Sequence, residues 1–418
     1  MSTYAPFAQA LQQQTPLTDP WLGGEPRFQP EPVVLAPRQH GALVAAAAGI
    51  AEVHDELARL VLAEPELATT FFGLTPWQLG MWQCSAPEWH GITRADVFLT
   101  ANGPAVCELN SDTPSGEAEA VLLSARAAAD RNDVRDANAS LPARFCAMVE
   151  TCARRRGAAG PLTIGLLYPT EMTEDLSMVA LYRDWLLARG HRVELGSPFN
   201  VTLAGCGRAA LFEVPCDLIV RHYKTDWFGE RLPVRDDEPP VADPAPLRAP
   251  LLALLTAAVE RRTTIVNPFG AVLTQNKRAL AFCWEQRERF SARAQQAIAR
   301  WLPYTVRLEV VREELWQQRA HWVLKSDYGC EGAEVVLGPL VDQATWEDAL
   351  AHAITRRWIA QRWFDAERDA HGNVTNHGVY VVGGAPAGLL ARVHAPGATD
   401  VHARIAPVLV RRSEEAQR

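Results

Sequence analysis

Chemistry-bearing side chains are densest between residues 94 and 116: Arg94-Ala-Asp96, then Glu108-Leu-Asn110, then Ser111-Asp-Thr-Pro-Ser-Gly116. On a strand, Glu108 and Asn110 project from one face and hold oxygen atoms close together, as a hard cation such as Mg²⁺ requires. Asp96, on a preceding strand, adds a third oxygen donor if the hairpin pairs it with Glu108 or Asn110. A two-residue Asn102-Gly103 loop sets Asp96 opposite Leu109 and on the wrong face; a three-residue loop aligns it with the others, and the odd loop is the expectation. An isolated E-x-N is common by chance and reads equally as the solvated face of an edge hairpin. Here the neighbours Val97-Phe98-Leu99 and Val106-Cys107 indicate a buried strand pair, in which charges need partners.

A second cluster is basic. In His321 to Gly332 (HWVLKSDYGCEG), Lys325 leaves an apolar strand and is followed by a loop with Gly329 and Gly332. Glycines let backbone N–H groups turn toward phosphate oxygens, and the lysine supplies a point charge. A plain glycine-containing hairpin turn explains the segment as well, because it is neither a Walker A motif nor a dinucleotide fingerprint. Lys277, in Thr274-Gln-Asn-Lys277, stands where a strand-loop gives way to a helix. Trp358 to Phe364, with Gln361 inside it, suits either a core strand or an apolar hinge against which an adenine stacks. Arg392 is a charge within an apolar strand and calls for an anionic partner, protein or ligand. Arg221, Tyr223 and Asp226 in VRHYKTDWF could line a substrate pocket or serve ordinary packing.

These residues must be carried by a framework of more than one domain. The chain has 418 residues, 48% hydrophobic and 22% charged, ordinary for a globular protein and incompatible with wholesale disorder. Net charge is −8, so no general basic field draws the chain to nucleic acid or anionic lipid. No secretory signal is apparent, and Ala42 to Val53 and Ala249 to Val259 are too short to span a bilayer, so a cytoplasmic location is expected. The 8 cysteines lack a C-x-x-C pair and read as buried thiols rather than a disulfide or zinc framework. Helical periodicity marks Gly41 to Leu67, Gly116 to Ala129 and Pro142 to Arg156, interrupted by the hairpin Ala95 to Leu109. Leu162 to Tyr168, Arg192 to Leu195, Cys216 to Tyr223 and Thr264 to Asn267 read as strands alternating with helices at Asp175 to Arg189 and Leu251 to Arg261, the pattern of a small parallel α/β unit. Prolines between Pro233 and Pro250 indicate an exposed loop, and Lys277 to Arg289 is helical. From His321, HWVLKS, AEVVLG, WIAQRWF and the hairpin VYVVGGAPAGLLARVH are strands, with a helix at Gln343 to Arg356. Four regions follow: residues 1–160, helical with the candidate metal hairpin; 161–270, the α/β unit; 271–411, a mixed nucleotide-binding lobe; and a tail, 412–418.

Taken together, R-x-D at Arg94 and Asp96, E-x-N-x-D-T-P from Glu108 to Pro114, N-P at Asn267, N-K at Asn276 and Lys277, and the loop from Lys325 to Gly332 resemble the ATP-grasp ligases. The resemblance is to the circularly permuted branch typified by the synthetase domain of glutathionylspermidine synthase and its shorter bacterial relatives, because the metal-type residues precede the lysines. It implies a mixed α/β, circularly permuted ATP-grasp fold with an inserted pre-ATP-grasp-like α/β domain. It also implies a ligase that uses ATP and Mg²⁺ to join a small-molecule carboxylate to an amine through an acyl phosphate. By this resemblance Asp96, Glu108 and Asn110 bind magnesium and Lys277 and Lys325 contact phosphates. Gly329 and Gly332 close over the triphosphate within a lid from Ser326 to Gly332, and Gln361 marks the adenine hinge. Arg94 and Arg392 stabilise transferring or tetrahedral charge, and Ser111, Thr113 and Ser115 meet substrate. No N-terminal amidase domain accompanies it, so ligation alone is implied. The competing expectation is a catalytically silent nucleotide-binding or regulatory protein on the same fold.

Overall fold

The computed structural model describes residues 4–170, 172–229, 247–329 and 334–412. Its largest sheet is antiparallel, in the order Arg404–Ala406, Ala385–His394, Val374–Val382, Ile92–Thr100, Gly103–Asn110. One face packs on the helix Pro37–Ala63, which opens on a proline in its first turn, where no N–H bond is lost. That helix buries Leu43, Ala46, Ala47, Ile50, Leu57 and Val61 at three- and four-residue steps. They meet Ala95, Val97, Val106, Leu109, Val379, Leu389 and Ala391 in one core. The other face carries Ile92, Tyr380, Val382 and Leu390 against the helices Glu117–Ala128 and Leu141–Arg155. Side chains alternate along a strand, so Arg94 and Asp96 point away from the Pro37–Ala63 helix, on the second face.

The hairpin solves its register differently from expectation. Thr100 pairs with Gly103, leaving an even loop of Ala101 and Asn102 rather than an odd one. That loop alone would set Asp96 opposite Cys107. A bulge between Asp96 and Val97 shifts the ladder instead, so that Asp96 pairs with Glu108 and Arg94 with Asn110. The extra residue also lets Val106 and Leu109, three apart, both reach the apolar core while Glu108 and Asn110 keep the polar face.

A second sheet is wholly parallel, in the order Thr264–Val266, Leu218–Arg221, Thr163–Leu167, Arg192–Gly196. The helices Leu141–Arg155 and Leu176–Ala188 contribute to the core on one side, and Arg248–Val259 to the core on the other. The third sheet is antiparallel, Thr305–Arg307, Trp358–Arg362, Trp322–Ser326, Val335–Leu337, with Gln343–Ile354 buried against it through Trp346 and Leu350. The helical stretch expected from Lys277 to Arg289 is shorter: Arg278–Glu285, followed by the 3₁₀ turn Arg287–Arg289. Most of the proline-rich segment, and all of the tail beyond residue 412, fall outside the described residues. No described helix is long and apolar enough to cross a membrane.

Candidate active site

The three sheets meet around a cavity of about 420 Å³. The antiparallel sheet supplies Arg94, Asp96, Glu108, Asn110 and Arg392; the third sheet supplies Lys325 and Gln361; the parallel sheet's side supplies Asp175, His222 and Tyr223.

Asp96 is buried between two guanidinium groups. Its Oδ1 accepts from Arg94 Nε at 3.0 Å and its Oδ2 from Arg392 Nη2 at 2.6 Å. Burial by itself pushes the Asp96 pKa up, but Arg392 and Arg94 outweigh it and hold the carboxyl at about 2. Arg94 also donates to the Ser115 carbonyl at 2.8 Å. Burial opposes its charge, yet Asp96 more than compensates and its pKa is raised. Gly378, opposite Asp96 in the ladder, makes room for Arg94: a Cβ there would lie 2.7 Å from Arg94 Cδ.

Glu108 Oε1 meets Lys277 Nζ at 3.1 Å, although 169 residues of chain separate them. Lys277 is fixed on both sides of its side chain. Its N–H donates to the Asp327 carbonyl at 2.8 Å and its Nζ to the Gly329 carbonyl, so the loop after Lys325 is tied to the helix that Lys277 precedes. Lys325 Nζ donates to the Cys107 carbonyl at 3.1 Å and to Gln361 Oε1 at 2.9 Å; Gln361 Nε2 donates to Thr305 Oγ1 at 3.0 Å. Thus Asp96, Glu108 and Lys325 border one cavity edge, and Lys277, which does not line the cavity itself, reaches it through Glu108; Asp96 faces two arginines and Glu108 a lysine, while Lys325 is held by two neutral oxygen acceptors.

Asn267, in the N-P dipeptide, joins this site to the parallel sheet. Its Oδ1 accepts from Gly91 N at 2.7 Å and Ile92 N at 2.9 Å, while its Nδ2 donates to the carbonyls of Ile92, Ser111 and Asp112. Asp112 continues the bracing: it accepts from Arg221 Nη2 at 2.6 Å, Thr225 N at 2.7 Å and Thr225 Oγ1 at 2.5 Å. Arg221 is therefore a buried strut, also stacked over Phe269 at 5.0 Å, and does not line the pocket. Ser111 also departs from expectation. Its hydroxyl is fully buried against Thr274 Oγ1 at 2.8 Å and cannot meet substrate, whereas Thr113 and Ser115 border the cavity. Gly329 donates its N–H to Ser326 Oγ at 2.9 Å. Gly332, and Cys330 beside it, lie outside the described residues, as does the side chain of Asp226.

The other end of the cavity holds groups that the motifs did not single out. His222 Nε2 and Asp175 Oδ2 are 2.9 Å apart. Burial lowers the His222 pKa, but the Asp175 carboxylate more than reverses this and raises it. Arg27 pairs with Glu119 at 2.7 Å along the same wall. Behind it, Glu117 is wholly buried beside the Tyr182 hydroxyl, and burial pushes its pKa up to about 7. The one available signal was positional: His222 directly follows a parallel strand, at the carboxyl edge where open α/β sheets bind ligands.

For a hard cation, the donor set fits at Glu108 and Asn110, whose oxygen-bearing side chains share a strand face and border the cavity. Asp96 does not fit as it stands, because guanidinium groups occupy both of its oxygens. Among the described residues there is no cluster of three acidic, histidine or cysteine side chains poised to hold a metal.

Residues 247–411 match the family model described as glutathionylspermidine synthase preATP-grasp. The match spans Lys277, Lys325, Gln361 and Arg392, and the resemblance drawn from the sequence holds over that segment. No curated protein matches the chain. Among solved structures, a glutathione synthetase like-effector from Globodera pallida, in apo form, superposes with a TM-score of 0.61 at 9% identity, covering 97% of this chain and 95% of that one. The mixed α/β architecture is thus shared with a glutathione synthetase-like protein along nearly the whole length. A putative gamma-glutamylcysteine synthetase from Methylobacillus flagellatus gives a TM-score of 0.48 at 15% identity, over 90% of this chain and 89% of that one.

Proposed function

We propose that this protein is an ATP-dependent carboxylate–amine ligase that forms an amide through an acyl phosphate and releases ADP and phosphate. The observation that carries the reading is that Glu108, Lys325 and the Asp96 arginine pair line one cavity, with Lys277 behind it in contact with Glu108. In this reading the chain is a permuted ATP-grasp, with residues 1–160, 161–270 and 271–411 as its working regions, acting on small molecules in the cytoplasm.

A carboxylate does not condense with an amine in water, because its oxygen is a poor leaving group. Phosphorylation by ATP converts that oxygen into phosphate, which departs readily. The side chains needed are those that position the triphosphate and neutralise charge. Lys277 and Lys325 provide ammonium groups for phosphate oxygens, exchanging their present contacts with Glu108, Gly329, Cys107 and Gln361. Gln361 and the strand Trp358–Arg362 border the adenine, and Gly329 stands on the phosphate side. Glu108 and Asn110, joined by Asp96 once an arginine releases it, would hold Mg²⁺, which neutralises charge on the transferring phosphoryl group. Arg94 and Arg392 stand ready to meet the oxyanion, and Thr113 and Ser115 border the carboxylate.

Glutathione and spermidine are the first pair to test, being the components in the matched family's name. ADP release that requires both a carboxylate and an amine supports the reading, and Glu108→Ala or Lys325→Ala should abolish it with the fold intact. Full activity in either variant would refute the assignment.

A further inference from the structure

Resting on the ligase reading, we infer that His222, oriented by Asp175, is the base that takes the proton from the attacking amine. Thr163–Leu167 and Leu218–Arg221 are parallel neighbours, so their carboxyl ends open on the same edge. His222 directly follows the second strand and Asp175 lies in the connection leaving the first. The His222 main chain is pinned by its N–H bond to the Leu167 carbonyl at 2.7 Å. Both side chains border the same cavity as Arg94 and Lys325.

The chemistry needs such a group. An alkylamine has a pKa of about 10, like that of lysine, and at neutral pH its lone pair is bound to a proton. Lys277, Lys325, Arg94 and Arg392 are cations and cannot accept that proton. Asp96, held at about 2 between two guanidinium groups, is a poor base. Glu119 is engaged with Arg27. His222 differs from all of these. With Asp175 accepting from Nε2–H, the neutral ring carries its lone pair on Nδ1, and no described residue makes a hydrogen bond to that atom.

The step balances without another reactant. Nδ1 takes a proton from the ammonium group, and the freed nitrogen lone pair forms the C–N bond to the acyl phosphate carbonyl. The tetrahedral oxyanion re-forms the carbonyl, the bond between carbon and the phosphate oxygen breaks with its electron pair leaving on phosphate, and the departing phosphate takes the second proton from nitrogen, giving a neutral amide and hydrogen phosphate. Asp175 stabilises the imidazolium that results.

The test is a competition in one mixture: MgATP, glutathione, spermidine and hydroxylamine, with amide and hydroxamate quantified by mass spectrometry. Hydroxylamine is unprotonated at neutral pH and needs no base, whereas spermidine does. His222→Gln should lower the amide-to-hydroxamate ratio by about 100-fold or more, the usual scale for loss of a positioned base. Asp175→Asn should lower it in the same direction by less, and it carries the test if the histidine variant does not fold. An unchanged ratio, with both products falling together, would overturn the inference while leaving the ligase reading in place. Wild-type protein that forms neither hydroxamate nor ADP would overturn the ligase reading and this inference with it.

Discussion

Replacing Glu117 by Gln removes a carboxyl group that the fold encloses completely, beside the Tyr182 hydroxyl and with Tyr380, Arg94 and His222 near it. Desolvation lifts its pKa from 4.5 to about 7. Between those values the unfolded chain has released the proton that the folded protein still holds. The folded state therefore binds more protons, and stability falls as pH rises through that window before levelling off above it. A shift of this size corresponds to about 3 kcal/mol. Glutamine has a similar shape and no charge to lose, so Glu117→Gln should match the wild type near pH 4 and exceed it by about 3 kcal/mol at pH 8. Chemical denaturation followed by tryptophan fluorescence at a series of pH values reads this directly. Parallel pH curves for the two proteins would refute the reasoning, since they would mean that Glu117 is solvated or paired.

Other consequences are as specific. Asn267→Ala strands Gly91 N–H and the carbonyls of Ser111 and Asp112 in the interior, so thermal unfolding should show a loss of about 3 kcal/mol or more. Lys325→Met should weaken ATP binding about tenfold or more in calorimetry. Lys325→Arg should not restore it, because the ammonium sits enclosed between the Cys107 carbonyl and Gln361. Gly378→Ala drives a methyl into Arg94; turnover should fall by about 10- to 100-fold with little change in melting temperature.

The alternation of Arg94 and Asp96 with Ala95 and Val97, and the E-x-N pair after it, made the polar hairpin face legible from residue order alone. Its register is not, because loop length alone does not reveal the bulge; the three-residue step from Val106 to Leu109 is the visible trace of it. Ser111 departs from the expected substrate-facing position because strand alternation ends at Asn110, after which Asn267 and Gln275 set the chain's direction. Glu117 reads in sequence as an ordinary acidic residue of a helix's first turn, where such groups usually face water. The fold instead buries it among Tyr182, Tyr380, Arg94 and His222. His222 and Asp175 are 47 residues apart, and the parallel crossover that joins them is not encoded in any local motif.

The most direct measurement is ADP formation by purified protein given MgATP, glutathione and spermidine together and each omitted in turn, with the product weighed by mass spectrometry. The ligase account predicts ADP and a new amide in equal amounts, only when all three are present. Nucleotide binding without turnover on any carboxylate and amine pair, or ADP release that ignores the carboxylate, would contradict it.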